Sequence, residues 1–294
     1  MPQSSSNAIR STLRIAALLC VIAPFASTAQ TAQIDSTALV RRAVQHRLEA
    51  AKDHHPLQYV VHRVDERRDS TKVIIETADG DVARLIAIDG KPLSADVNQA
   101  EFGRLDTLAL HPELEERRRR SEDKDRERIT HLLSLLPDAF LYKSEGTVAC
   151  GQSQCYNLSF SPNPHWTPPD LEAGLFRGLA GQLWIDQAQE RLVRLDARFI
   201  ADADVGFGLI GRLNKGGTAL LDQSDIGSND WELTRLKVHV SGKALIFKSF
   251  IYQVDEQTSH FSPVSSGLRY RDAINLLKQL DPSSLMPLQP EAKP

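Results

Sequence analysis

Gly181-Gln-Leu-Trp-Ile-Asp186, then residues 187–190, then Arg191-Leu-Val-Arg-Leu-Asp-Ala-Arg-Phe199 form the most legible unit of the chain. In the second arm Val193, Leu195, Ala197 and Phe199 alternate with Arg194, Asp196 and Arg198. A period of two puts the first set on one face of a sheet and the second set in water. The wider stretch from Gly178 to Tyr252 reads as antiparallel strands joined by short turns. Asp204-Val-Gly-Phe-Gly-Leu-Ile-Gly-Arg212 within it reads as a sharply bent strand, because glycines among apolar residues mark bends or close backbone approach. Trp231 to Val240 is the next strand. Ser241-Gly242-Lys243 reads as a tight turn into Ala244 to Tyr252. There Leu245, Phe247 and Ile251 share one face, and Ile246, Phe250 and Tyr252 the other. A strand apolar on both faces is covered on both.

Working outward toward the N-terminus, the proline-rich Ser161-Pro-Asn-Pro-His-Trp-Thr-Pro-Pro169 reads as an extended crossing loop. Asp170 reads as the cap of a short helix through Leu175. Ala139 to Tyr142, Thr147 to Ala149 and Tyr156 to Phe160 read as strands. Residues 94–136 form a helical insertion of unusual charge. Glu113 to Arg128 holds seven acids and seven bases. Glu113/Arg117, Glu115/Arg119, Glu116/Arg120 and Glu122/Arg126 lie four apart with the acid first, which supports an exposed helix. Its local neutrality argues against reading Arg117 to Arg120 as a phosphate or nucleic-acid patch. Leu132, Leu133, Leu135 and Leu136 dock its end, and Pro137 stops it.

Leu57 to Val64, Lys72 to Thr77 and Val82 to Ile88 are strand-like, with Asp79-Gly80 as a hairpin turn. Ser36 reads as the cap of an amphipathic helix to about Lys52. Asp272 to Leu280 is a last amphipathic helix. The tail, residues 281–294, is proline-rich and reads as loose.

Residues 1–29 carry a secretory signal pattern. Arg10 and Arg14 precede an apolar run, Ile15 to Ala23, too short to span a bilayer, and Ser27-Thr28-Ala29 supplies the small residues before a cleavage point. Cys20 follows a leucine pair that does not suit a lipobox. Without this segment the chain keeps 33 bases against 38 acids, which argues against nucleic-acid binding. The expected address is periplasmic or secreted. In that setting Cys150 and Cys155, in Cys150-Gly-Gln-Ser-Gln-Cys155, are expected to form a disulfide across a turn.

Catalytic and metal signatures are missing from the sequence. There is no Gly-x-Ser-x-Gly elbow and no His-Glu-x-x-His. His46, His54, His55 and His62 fit no common ligand spacing, so no metal and no cofactor is expected. Asp202 and Asp204 share a strand face as glycosidase carboxylates would, but acids beside a turn are common. Trp166, Trp184 and Trp231 could stack on sugar rings, but with only three the default reading is core packing or a lone surface aromatic.

The strands offer more apolar surface than one flat sheet buries, and the helices are few and amphipathic. An α+β fold, mostly antiparallel, accounts for both: a strongly curved incomplete β-barrel with helices on its concave side, spanning residues 30–280. It leaves an apolar cavity between sheet and helices, lined by Val193, Leu195, Phe199, Leu245, Phe247 and Ile251.

The order of elements, including the Gly181 to Asp186 hairpin arm followed by Arg191-Leu-Val-Arg-Leu-Asp196, resembles the periplasmic lipoprotein-carrier superfamily of LolA, LolB and RseB-like half-barrels over about residues 36–260. Leu136-Pro-Asp-Ala-Phe140, Phe160-Ser-Pro-Asn-Pro164, Phe207-Gly-Leu-Ile-Gly-Arg-Leu213 and Gly242-Lys-Ala-Leu-Ile-Phe-Lys248 are similar to a family of uncharacterised secreted bacterial proteins. The first resemblance implies a non-enzymatic periplasmic protein that binds a lipid or acylated peptide. The alternatives are an envelope sensor or scaffold that docks a protein partner through the charged helix, and an exported hydrolase.

Overall fold

The computed structural model describes residues 34–205, 211–227, 230–244 and 248–285. Helix α1 (Ser36–Ala50) starts one residue earlier than the serine reading. The Asp35 carboxylate accepts from the Ala38 amide at 3.0 Å, so Asp35 caps the helix and Ser36 is its first residue. Four strands follow: β1 (Leu57–Asp65), β2 (Asp69–Ile75), β3 (Val82–Ile88) and the two-residue β4 (Lys91–Pro92).

The insertion is two helices, α2 (Ala95–Leu110) and α3 (Pro112–Ala139). Pro137 does not stop α3, which continues to Ala139. Pro137 has no amide to give the Leu133 carbonyl, yet the helix persists two residues beyond it, and the Leu136 carbonyl, orphaned at the helix end, accepts from the Tyr142 hydroxyl at 2.7 Å. Along α3 Glu116 pairs with Arg120 at 2.6 Å as expected, whereas Glu122 is taken by Arg118 at 3.1 Å, base first, and Arg126 pairs with Asp123 at 3.0 Å.

The second group of strands is β5 (Phe140–Cys150), β6 (Ser153–Pro162), β7 (Leu179–Asp186), β8 (Leu192–Phe199), β9 (Ala203–Val205), β10 (Gly211–Leu213), β11 (Thr218–Asp225), β12 (Trp231–Ala244) and β13 (Lys248–Pro263). A 3-10 turn at Ala173–Gly178 precedes β7; its N-cap position is Glu172 rather than Asp170, and Asp170, two residues earlier, accepts from the Ala173 amide at 2.8 Å. The two strands expected around residue 145 are one, β5, interrupted by a bulge between Ser144 and Thr147. Cys150 and Cys155 are joined across the β5–β6 turn, with Cα atoms 5.9 Å apart. Helix α4 (Tyr270–Gln279) and a 3-10 turn at Pro282–Leu285 close the described chain, and Leu285 packs on the core.

Ser241-Gly242-Lys243 is not a turn. Gly242 pairs with Phe250 and Ala244 with Lys248, so β12 runs straight through it. Gly242 is needed because a Cβ there would collide with the Arg212 carbonyl of β10 and the Phe250 ring. Gly181 answers the same demand, since a Cβ would run into the Asp196 carbonyl of β8.

All strands belong to one antiparallel sheet, curved and unclosed. Its order is β4-β3-β2-β1-β13-β12-β11-β8-β7-β6-β5, with β9 and β10 attached beside β12. The first meander therefore joins the second through β1 and β13, whose paired residues are some 190 positions apart, as Arg63 and Glu256 are (193). Two apolar cores form on it. One packs Leu39, Val40 and Ala43 of α1 against Leu158, Leu183, Ile185 and Phe199. The other packs Ala273, Ile274 and Leu277 of α4 and Leu105 of α2 against Val60, Val73, Ile75 and Val82.

The α3 helix straps the two cores. Its 28 residues span ~42 Å at 1.5 Å each. Near its start the Arg118 guanidinium lies 5.3 Å from the Tyr270 ring centre of α4, and near its end Leu132, Leu135 and Leu136 pack on the α1 core.

Candidate functional site

Opposed residues on antiparallel strands point to the same side. One rung crosses the sheet as Ser70, Arg63, Glu256, Leu236, Leu221, Leu195, Leu183, Leu158 and Ser144. Five successive members are leucines. Leu158 and Leu183 are buried in the α1 core, Leu195 packs against it, and Leu221 and Leu236 are half-buried. The rung fixes the sides: α1 covers this face at β5 to β8. Val60 and Val73, under α4, lie on the opposite face from Val61 and Lys72. Helices thus flank the sheet on both faces.

On the α1 face, beyond the reach of α1, β1, β2, β12 and β13 form a groove of about 270 Å³. Tyr59, Val61, Ile74, Leu233 and Phe261 supply its apolar lining, with the Tyr59 and Phe261 rings 5.8 Å apart. Charged side chains mix with it: Arg63, Lys72, Glu76, Glu232 and Glu256. Arg63 bonds Glu256 at 3.2 Å and Asp65 at 3.1 Å.

His54, on the connection from α1 to β1, bridges two of the groove acids. Its Nε2 lies 2.7 Å from Glu76 and its Nδ1 3.6 Å from Glu232. The Glu76 carboxylate also accepts from the Leu57 amide at 2.9 Å. The contact with Glu76 raises the His54 pKa, and burial raises that of Glu232. The connection is thereby pinned to the ends of β2 and β12.

The residues named from alternation separate. Leu195 and Phe199 share the α1 face, where Phe199 is buried in the core. Val193 falls at a β-bulge: Trp184 opposes Arg194 and Ile185 opposes Leu192, so Val193 has no partner and lines a depression with Arg194 and Trp184. Ile251 is 59% exposed. Leu245 and Phe247 lie outside the described residues. The groove residues Tyr59, Val61, Ile74, Leu233 and Phe261 were not singled out in the sequence. Their signal was Tyr59-Val60-Val61, a strand apolar on both faces.

The acids weighed as a catalytic pair are engaged elsewhere. Asp202 accepts from the Lys215 amide at 2.8 Å, and Asp204 pairs with Arg212 at 2.8 Å. Among the described residues the one cluster spaced for a metal is Cys150, Cys155 and Asp186, and its two sulfurs are joined to each other.

No family model and no curated protein sequence matches the chain. Among solved structures it is similar to a putative outer membrane lipoprotein-sorting protein domain from Vibrio parahaemolyticus, at TM-score 0.29 and 10% identity over 81% of this chain and 99% of that one. It is similar to a DUF1329 family protein from Desulfovibrio piger at TM-score 0.29 and 11% identity, over 80% and 96%. A LolA superfamily protein from Nitrosomonas europaea aligns at TM-score 0.26 and 8% identity, over 76% and 94%. The superfamily that the order of elements resembles is thus represented among them. Likeness at these values carries no argument about function.

Proposed function

We propose that the protein is a non-enzymatic binding protein of the cell envelope that shelters one acyl chain, of a lipid or a lipidated peptide, in the groove on the α1 face. The observation that carries this reading is the groove's apolar lining of Tyr59, Val61, Ile74, Leu233 and Phe261, beside which Leu236 of the rung is paired with Glu256 and only half-buried. An apolar chain laid there gains on the order of 0.8 kcal/mol per buried CH₂. At about 270 Å³ the groove is small for a ligand site, which favours a single chain over a lipid with several. The mixed charges suit an amphiphile whose head stays in water. The signal pattern of residues 1–29 supports the envelope address. No described helix is long and apolar enough to cross a membrane.

The test is native mass spectrometry of protein purified from the envelope without detergent, with titration of a fluorescent C11 fatty acid. The expected result is a co-purifying acyl species and micromolar probe binding. Val61→Glu and Leu233→Glu should each weaken binding at least tenfold with unchanged far-UV dichroism. A clean apo mass together with no probe binding by the unmodified chain overturns the reading.

A further inference from the structure

From β6 to β12 a polar row lies on the face opposite the leucine rung. Asn157, Trp184, Arg194, Asp222 and Arg235 oppose one another across β6, β7, β8, β11 and β12. Two bulges interrupt these strands. One leaves Val193 unpaired. The other, opposite Asp222 and Gln223, leaves Thr234 unpaired between Leu233 and Arg235. Bulges re-aim side chains, and both extra residues line the same depression of about 600 Å³. Its rim includes the β5–β6 turn that the Cys150–Cys155 bond closes.

Two tryptophans line this depression. The Arg194 guanidinium sits 4.5 Å from the Trp184 ring centre and is gripped by Asp222 at 2.6 and 2.9 Å. The Trp231 indole donates to Gln189 at 2.8 Å. The Trp184 indole N–H is out of reach of solvent and has no partner among the described residues. An unspent donor of that kind is costly and calls for an explanation.

We propose that this depression is a saccharide site. Its main charges are already committed: Arg194 to Asp222, and Asp186 to the Ser153 hydroxyl and the Ala188 and Gln189 amides. Arg194 is the one cation of the lining and is matched by Asp222, so an anion finds no free positive partner there. The Gln152 amide and the Ser224 and Thr234 hydroxyls, the last two 3.3 Å apart with Thr234 also donating to the Asp222 carbonyl at 3.3 Å, are groups of the kind sugar hydroxyls pair with. The Trp231 indole suits the C–H face of a pyranose, as a broad apolar plate beside polar groups, whereas Arg194 already covers one face of Trp184. The volume falls in the range of small-molecule sites.

The full chain is titrated with maltotriose, cellotriose and chitotriose, read by tryptophan fluorescence and calorimetry. At least one trisaccharide should bind in the micromolar to millimolar range. Trp231→Ala should weaken it tenfold or more. Thr234→Val, nearly isosteric and removing one hydroxyl, should weaken it several-fold with the far-UV dichroism of the unmodified chain. Trp166→Phe, in the α1 core, should leave it unchanged, and fatty-acid binding in the groove should survive all three. The proposal is overturned if none of the sugars binds, if Trp231→Ala and Thr234→Val bind as the unmodified chain does, or if trilysine binds there in their place.

Discussion

Arg63 and Glu256 face each other across β1 and β13 at 3.2 Å, where a rung of five leucines reaches the groove. They lie 193 residues apart in sequence, and their strands join the two meanders. The pair is partly exposed, with 35% and 20% of the side-chain surface accessible, so its own worth is modest. Its position is what matters: both residues line the groove, and Glu256 is paired with the half-buried Leu236 at the near end of the rung.

Truncation along the rung should show that gradient. Leu158→Ala removes a side chain with no exposed surface and is expected to cost about 2–5 kcal/mol. Leu236→Ala, half-buried, should cost about 1 kcal/mol, as an incompletely covered side chain has less transfer energy to lose. Urea unfolding of both variants checks this. Equal losses would mean that the Leu236 end is covered as fully as the α1 end.

A second prediction concerns the open edge of β3. Glu101 of α2 is buried, accepts from the Leu85 amide at 2.8 Å and holds Arg104 at 2.7 Å, while Arg104 bonds the Ala83 carbonyl. Two helix side chains thus occupy the edge groups that a foreign strand would use. Glu101→Ala should cost about 1–3 kcal/mol through the unsatisfied amide. It should also give concentration-dependent self-association in sedimentation velocity. Glu101→Gln, which keeps an acceptor, should remain monodisperse relative to the alanine variant.

The His54 bridge sets a pH dependence. Its folded pKa is raised above the ordinary 6.5 by the Glu76 contact. Its contribution is therefore complete below about pH 6.5 and fades as pH rises through the folded value. Glu232, also raised, acts in the same direction at lower pH. Unfolding free energy measured from pH 5.5 to 8.5 should fall more steeply for the unmodified chain than for His54→Gln. Parallel curves would remove His54 from the account.

The disulfide closes a very short loop, with its cysteines five positions apart. Chain entropy alone gives such a loop about 2 kcal/mol. Cys150→Ser/Cys155→Ser should lose roughly that amount in urea unfolding and keep the fold by far-UV dichroism. Loss of the fold would show that the turn anchors more of the sheet than its own hairpin.

Much of the architecture was legible. Period-two alternation marked β8 and much of β12, strand-like runs bounded by turn residues marked β1, β3 and β7, the spacing of acids and bases marked the exposed helix, and the cysteine count marked the bridge. Alternation says which side chains share a face, but a bulge cancels it locally, as at Val193. It does not say which face is covered. That depends on which strands become neighbours, and β1 meets β13 only after the whole insertion and second meander have been placed. The glycine of β12 shows the same division: composition could flag Gly242 as special, but only the approach of β10 tells a crowded strand from a turn. The sequence by itself determined the kinds of element and the linkage between Cys150 and Cys155. The tertiary structure decided the register, and with it which apolar side chains line a groove, because contacts made across nearly two hundred residues leave no periodic trace in either segment alone.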